Sequence, residues 1–145
     1  MRKVLAALAL CGLAGAASAQ ELARIDTPSG PAVIVREDTY PVVSVGGQTF
    51  RFEDMSSGWF GDRLGDVVLV GLSTGGTACP AMFAWLDTRP GMIRITDVFG
   101  TCSDLPKVTW DAEAVTVSMP SLVPGEGQMD FIWDGKTAAV REVLR

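Results

Sequence analysis

Apolar and polar residues alternate along much of this chain, which is the pattern of β-strands with one face buried. In segment 40–45, Val43 and Val45 lie two positions apart and therefore share one face of a strand. Gly46-Gly47 separates this segment from a second one, 48–53. Two glycines between strand-like segments predict a two-residue β-hairpin.

A second kind of pattern occurs in segment 66–73, where Val67-Val68-Leu69-Val70 forms a near-continuous apolar run. Such a run predicts a strand that is buried on both faces. A further hairpin is predicted around Asp134-Gly135, because Asp-Gly between strand-like segments favours a tight turn. The remaining strand-like segments are 33–35, 79–86, 92–99, 108–111, 114–119, 129–133 and 136–140.

The number of predicted strands and the shortness of their connections determine the expected fold class. Eight or nine short strands joined by turns too short for a crossover helix predict an all-β, antiparallel meander. We find no internal repeat and no low-complexity linker, so residues 20–145 are expected to form a single domain. The pattern leaves two architectures open, a small barrel or a two-sheet sandwich, because closure depends on shear and bulges that it does not show.

The first residues have a different composition, which predicts a cleaved secretory signal peptide over 1–19. Arg2 and Lys3 precede an uncharged segment, 4–17, and Ala17-Ser18-Ala19 follows it, which is the usual order of a secretory leader. The apolar segment is shorter than the roughly 20 residues that a membrane-spanning helix needs. We therefore expect export without a transmembrane anchor.

Loss of this leader makes the protein more acidic. Without Arg2 and Lys3 the chain keeps 10 basic residues against 17 acidic ones, a net charge of −7. No nucleic-acid partner is expected, since phosphate binding requires clustered Lys and Arg. The alanine-rich leader and the preference for arginine over lysine are typical of a bacterium with a GC-rich genome, which favours the periplasm, with secretion further out as the alternative.

Two cysteines follow the leader, Cys79 and Cys102. An even pair in an oxidising compartment predicts a disulfide. Neither belongs to a Cys-x-x-Cys motif, so we expect a structural bridge rather than a redox site.

The absence of histidine excludes several chemistries at once, including a Ser-His-Asp triad and His-ligated zinc or copper. A serine activated by lysine needs no histidine, but neither Lys107 nor Lys136 stands three residues after a serine. The glycines of 71–76 lack the spacing of a phosphate-binding loop. We predict no cofactor and no catalytic residues, and a non-catalytic role is favoured over an enzyme.

Acidic residues leave two weaker alternatives open. A pair of carboxylates could hydrolyse a glycosidic bond, and the acidic residues Glu53, Asp54, Asp62 and Asp66 could hold calcium. The spacing of these four does not match an EF-hand loop, and Arg63 stands among them, so no metal site is predicted.

The four tryptophans supply the candidate binding residues. Trp85, Trp110 and Trp133 lie in strand-like segments, where core packing is expected. Trp59 instead falls in a segment rich in glycine and serine that is interpreted as a loop. Exposed aromatic residues on a loop favour recognition, and the predicted binding loop comprises Trp59, Phe60, Asp62 and Arg63. The alternative is a loop that folds back and covers the end of the core.

Three functions follow from these patterns. The first is a non-catalytic binding or interaction domain in the periplasm, whose partner is another envelope or secreted protein. The second is a structural or assembly component of the bacterial envelope. The third is a hydrolase that uses carboxylates without histidine.

Overall fold

All regular secondary structure is β in the computed structural model, which describes residues 19–145. Of the predicted leader, only Ala19 falls within that range. The described strands, in chain order, are β1 Gln20–Thr27, β2 Gly30–Glu37, β3 Tyr40–Val45, β4 Gln48–Arg51, β5 Ser57–Leu64, β6 Val67–Ser73, β7 Met82–Asp87, β8 Arg94–Ile95, β9 Lys107–Trp110, β10 Val115–Pro120, β11 Gln128–Trp133 and β12 Arg141–Leu144.

These strands form three antiparallel sheets, which we call sheet A (β1–β4), sheet B (β5–β8) and sheet C (β9–β12). Within each sheet, every strand pairs with its neighbours in sequence. The predicted all-β, antiparallel fold class is therefore confirmed. The sheets of residues 19–145 stay open rather than closing into a barrel, so of the two predicted architectures the sandwich is the one that agrees with the structure, here with three sheets.

Sheet B lies between the other two sheets. In strand β6, Val70 and Leu72 pack with residues of sheet A, whereas Leu69 packs with residues of sheet C. Successive side chains of a strand point to opposite faces, so both faces of sheet B are covered. The prediction that 66–73 is buried on two sides is thus correct.

The two interior layers differ in chemistry. The layer between sheets A and B is mainly aliphatic; its buried members are Ala32, Ile34, Val43, Val45, Val70, Leu72 and Leu86. The layer between sheets B and C is rich in aromatic rings; its buried members are Leu69, Ala81, Phe83, Trp85, Phe99, Val115, Val117, Met119, Phe131 and Trp133. Trp85 and Trp133 stack with centroids 6.4 Å apart, so their predicted core positions are confirmed.

The predicted disulfide between Cys79 and Cys102 is present, with Cα atoms 4.4 Å apart. It joins the connection between β6 and β7 to the segment that leads into β9, and so links sheet B to the start of sheet C. Closing a loop of this size contributes about 3 kcal/mol in the chain-entropy account. Nearby, the Thr101 hydroxyl donates to the carbonyl of Pro120 at the end of β10 (2.7 Å).

The segment interpreted as a loop, which contains Trp59, is in fact strand β5. The segment pairs in register with the apolar strand β6, where Gly58 lies opposite Leu72. A bulge between Phe60 and Arg63 interrupts the pairing with β6. The prediction of a loop at this place was wrong.

The second correction concerns the chain after Asp134-Gly135, where no tight hairpin forms and β12 begins only at Arg141. The intervening carbonyls bind elsewhere: Trp133 Nε1 donates to Thr137 O (2.7 Å), and Asp97 N donates to Ala138 O (2.9 Å). These bonds hold the loop against the rest of the molecule, so the chain pairs with β11 only from Arg141 onward.

The observed strands differ from the predicted ones at two further places. β1 was not predicted, and of the expected strand 92–99 only Arg94–Ile95 pairs with β7, together with an isolated bridge between Phe83 and Phe99.

Candidate functional site

Trp59 lies on the face of β5 that is turned toward sheet C, directly opposite Gly71 of β6. Its indole covers the bare backbone of Gly71 and meets Phe83 edge-on, with ring centroids 6.4 Å apart. The side chain is 38% exposed. Trp59 therefore covers the margin of the aromatic layer while showing one side to solvent.

The other three predicted binding residues do not form a continuous surface with Trp59. Phe60 points the opposite way and packs against the layer between sheets A and B. Asp62 and Arg63 are exposed, and the Arg63 guanidinium donates to the carbonyls of Asp26 (2.8 Å) and Gly65 (2.9 Å). A binding role for these four residues stays a prediction.

Trp110 is the aromatic residue whose predicted position was wrong. It was expected in the core, but it is 65% exposed. It is the last residue of the edge strand β9 and pairs with Val115, whose side chain is buried. Its place at the end of an edge strand, directly before the turn 111–114, favours exposure, and the sequence pattern does not show which strand is at the edge.

Trp110 stands at the wall of a pocket of about 320 Å³, which we call the Trp110 pocket. The pocket lies where the ends of sheets B and C meet, and Trp133 contributes to its lining. The lining residues are Leu64, Gly65, Asp66, Val67, Arg89, Trp110, Ala112, Glu113, Ala114, Val115, Trp133, Asp134 and Gly135. An exposed aromatic side chain beside a few convergent polar groups is the usual composition of a ligand site.

Hydrogen bonds hold the first wall of the pocket, the turn between β9 and β10. Asp111 Oδ1 accepts from the backbone N–H groups of Glu113 (2.8 Å) and Ala114 (2.9 Å). These two bonds lower the pKa of the Asp111 carboxyl, since they favour its charged form. The turn therefore places Glu113 beside Trp110 without help from a ligand.

The two other walls are fixed in similar ways. In the turn between β5 and β6, the carbonyl of Asp66 accepts from the N–H (2.9 Å) and the hydroxyl (2.7 Å) of Thr88. After β11, Asp134 Oδ1 accepts from Lys136 N (2.9 Å). The pocket is thus preformed, which reduces the ordering cost of binding.

Asp87, which is fully buried at the end of β7, connects the pocket to the rest of the fold. Its carboxylate accepts from the Arg89 side chain (2.9 Å to Nε) and lies 3.5 Å from Arg94 Nε. Burial alone would raise the pKa of Asp87, but the hydrogen bonds from Arg89, joined by the charges of both arginines, outweigh it and lower that pKa. Arg94 also donates to the carbonyl of Lys136, so one ion cluster ties sheet B to the loop before β12.

A separate polar cluster occupies the outer face of sheet C. Ser118 Oγ donates to Asp130 Oδ1 (2.6 Å), and Arg145 Nη2 donates to the same oxygen (2.8 Å). Lys107 stands opposite Ser118 in the strand register, yet the Ser118 proton is directed to Asp130. This arrangement satisfies a buried carboxylate.

Within 19–145, no three or more His, Cys, Asp or Glu side chains are grouped so as to hold a metal ion. Over the same range, none of the structure is a helix long and apolar enough to cross a membrane.

Comparisons of this chain with protein-family models, with curated proteins and with solved structures found no match.

Proposed function

We propose that this protein is an exported, non-catalytic binding domain that takes its partner at the Trp110 pocket. The observation that carries this proposal is the exposure of Trp110 beside a preformed recess. Trp85 and Trp133 are fully buried and Trp59 is seated on Gly71, whereas 65% of Trp110 is open to solvent. Exposed tryptophans in such positions are common centres of binding energy.

The disulfide supports the exported location in this proposal. The disulfide between Cys79 and Cys102 is compatible with an oxidising compartment outside the cytoplasm. Together with the predicted leader it favours the periplasm, and the partner is then another envelope or secreted protein.

The test is capture of partners from a periplasmic extract with the wild-type protein, Trp110→Ala and Leu122→Ala. Leu122 is a matched control because it is 64% exposed and lies beyond the opposite end of sheet C. We expect Trp110→Ala to lose the captured partner and Leu122→Ala to retain it, with a loss of about 2 kcal/mol if Trp110 is a hot spot. Equal capture by all three proteins would contradict the proposal.

The pocket also favours one alternative, a hydrolase that uses carboxylates, because Asp66, Glu113 and Asp134 all line it. A general acid of this kind usually lies in an apolar environment, whereas Glu113 and Asp134 are exposed. Hydrolysis of chromogenic glycosides that is lost in Glu113→Gln would support this alternative. We expect no such activity.

A further inference from the structure

The charge of the Trp110 pocket indicates what kind of group it binds, an inference that rests on the proposed function. Three acidic residues line it, Asp66, Glu113 and Asp134. Among the described residues, none of the three has a basic nitrogen within 4 Å of its carboxylate. Their negative charge is therefore not cancelled by an ion pair of the protein itself.

Arg89 is the one basic residue of the lining, and its guanidinium is already engaged. Its Nε and Nη2 atoms both donate to the buried carboxylate of Asp87 (2.9 and 2.5 Å). The charge of Arg89 is thus largely balanced by Asp87, and the three acidic residues outnumber this one cation of the lining. Lys136 and Arg141 line an adjoining depression beyond Asp134 rather than the pocket.

The exposed ring of Trp110 also attracts positively charged groups. The face of an indole attracts cations through its quadrupole, and Trp is the best aromatic partner for Lys and Arg. Glu113 beside the Trp110 indole on the first wall, with Asp66 and Asp134 on the other two walls, together form a site for a positively charged group. An anionic or phosphate ligand would meet three negative charges here.

We propose that the Trp110 pocket receives one lysine or arginine side chain of the protein partner. The volume of about 320 Å³ lies at the lower end of the range for ligand pockets, which suits one inserted side chain. The net charge of −7 without the leader attracts basic surfaces over longer distances and speeds their association. Because hydrogen bonds of Asp111, Thr88 and Asp134 hold the three walls, the backbone of the pocket is in place before the partner arrives.

Blocked peptides with a single central residue test this proposal. The exported, disulfide-bonded protein, labelled with ¹⁵N, is titrated with acetyl-Gly-Gly-Arg-Gly-Gly-amide, its lysine counterpart and its citrulline counterpart. Citrulline keeps the shape of arginine and removes its charge. The readout is the indole N–H signal of Trp110, which Trp110→Phe assigns.

We expect the arginine and lysine peptides to shift this signal and the citrulline peptide to bind at least about fivefold more weakly. Asp134→Asn combined with Glu113→Gln, both nearly isosteric, should weaken the arginine peptide by a similar factor, and added salt should do the same. Equal affinity for citrulline, or no shift with any peptide, would overturn the proposal. Partner capture that still depends on Trp110 would then show that the proposed function survives without the cationic preference.

Discussion

The indole ring of Trp59 occupies the space above Gly71, where an added Cβ would lie 2.1 Å from its Cε2 atom. Glycine in a strand exposes backbone and contributes no packing. An aromatic side chain on the neighbouring strand compensates by covering it, and here the covered site also borders Phe83. The pair therefore closes the β5 margin of the aromatic layer.

We expect Trp59→Ala to lower the free energy of unfolding by about 1 to 2 kcal/mol. This loss is larger than at an exposed site and smaller than at a fully buried core residue. Trp133→Ala, by contrast, should cost about 3 to 5 kcal/mol because Trp133 is fully buried. Urea denaturation of the two variants measures both values. A loss for Trp59→Ala as large as that for Trp133→Ala would make Trp59 wholly a lid on the core and exclude it as a recognition residue.

A double-mutant cycle tests the contact itself, as part of the same prediction. Gly71→Ala displaces the indole and should cost about 1 to 3 kcal/mol, but much less when Trp59 is already alanine. Gly61→Ala is the control in β5, since its nearest neighbour, the Leu69 carbonyl oxygen, lies at an ordinary 3.4 Å. Costs that simply add would show that the two residues do not interact.

Replacing Cys79 and Cys102 together by serine should lower the free energy of unfolding by about 2 to 5 kcal/mol, as is usual for a native disulfide in a small secreted domain. The bridge links sheet B to the segment before β9, so its loss also frees the start of sheet C. Thermal unfolding of the double variant measures the change. Alkylation of the unreduced wild-type protein should label neither cysteine, and an unchanged melting temperature would contradict a stabilising role.

Stability should fall in acid because the pKa values of Asp87 and Asp130 are lowered in the folded protein. For Asp130, burial raises the pKa, but hydrogen bonds from Arg145 and Ser118 outweigh it. A carboxyl with a lowered pKa stabilises the fold above its unfolded value of about 3.9 and loses this contribution as the pH falls toward its folded pKa. Denaturation from pH 6 down to about pH 2 should show the loss.

Asp130→Asn separates the two groups in that experiment. The variant should be less stable near neutral pH and show a shallower decline in acid, because one of the two titrating groups is gone. An unchanged slope would mean that Asp130 does not contribute to the acid sensitivity.

Mass spectrometry of the native protein should find its N-terminus at or near Gln20, as the Ala17-Ser18-Ala19 pattern predicts. Export also decides whether the cysteines meet an oxidising compartment. An intact Met1 in a cytoplasmic fraction would contradict the predicted leader.

Local signals predicted those parts of the fold that depend on neighbouring residues. Gly46 and Gly47 both have positive φ, as the hairpin between β3 and β4 requires, and the observed strands 40–45 and 48–51 agree closely with the prediction. The continuous apolar run of β6 correctly indicated two buried faces. It did not indicate that three sheets stack. The hydrophobic pattern shows which faces of a strand are buried, and not how many sheets cover them.

The errors arose where position in a sheet decides the outcome. Trp59 and Phe60 are adjacent, so in a strand they point to opposite faces, and both find a layer to pack against only because sheet B is central. Trp110 and Val115 are paired on the same face, but Trp110 ends an edge strand and stays exposed. The site at Trp110 could therefore not be located from residue pattern alone.

Binding at the Trp110 pocket is tested most directly by the response of the tryptophan indole N–H signals when the captured partner is added to the ¹⁵N-labelled protein. We expect the Trp110 signal to shift or broaden while those of the buried Trp85 and Trp133 stay nearly constant. A response confined to Trp59, with Trp110 unchanged, would contradict binding at this pocket and place the partner on strand β5 instead.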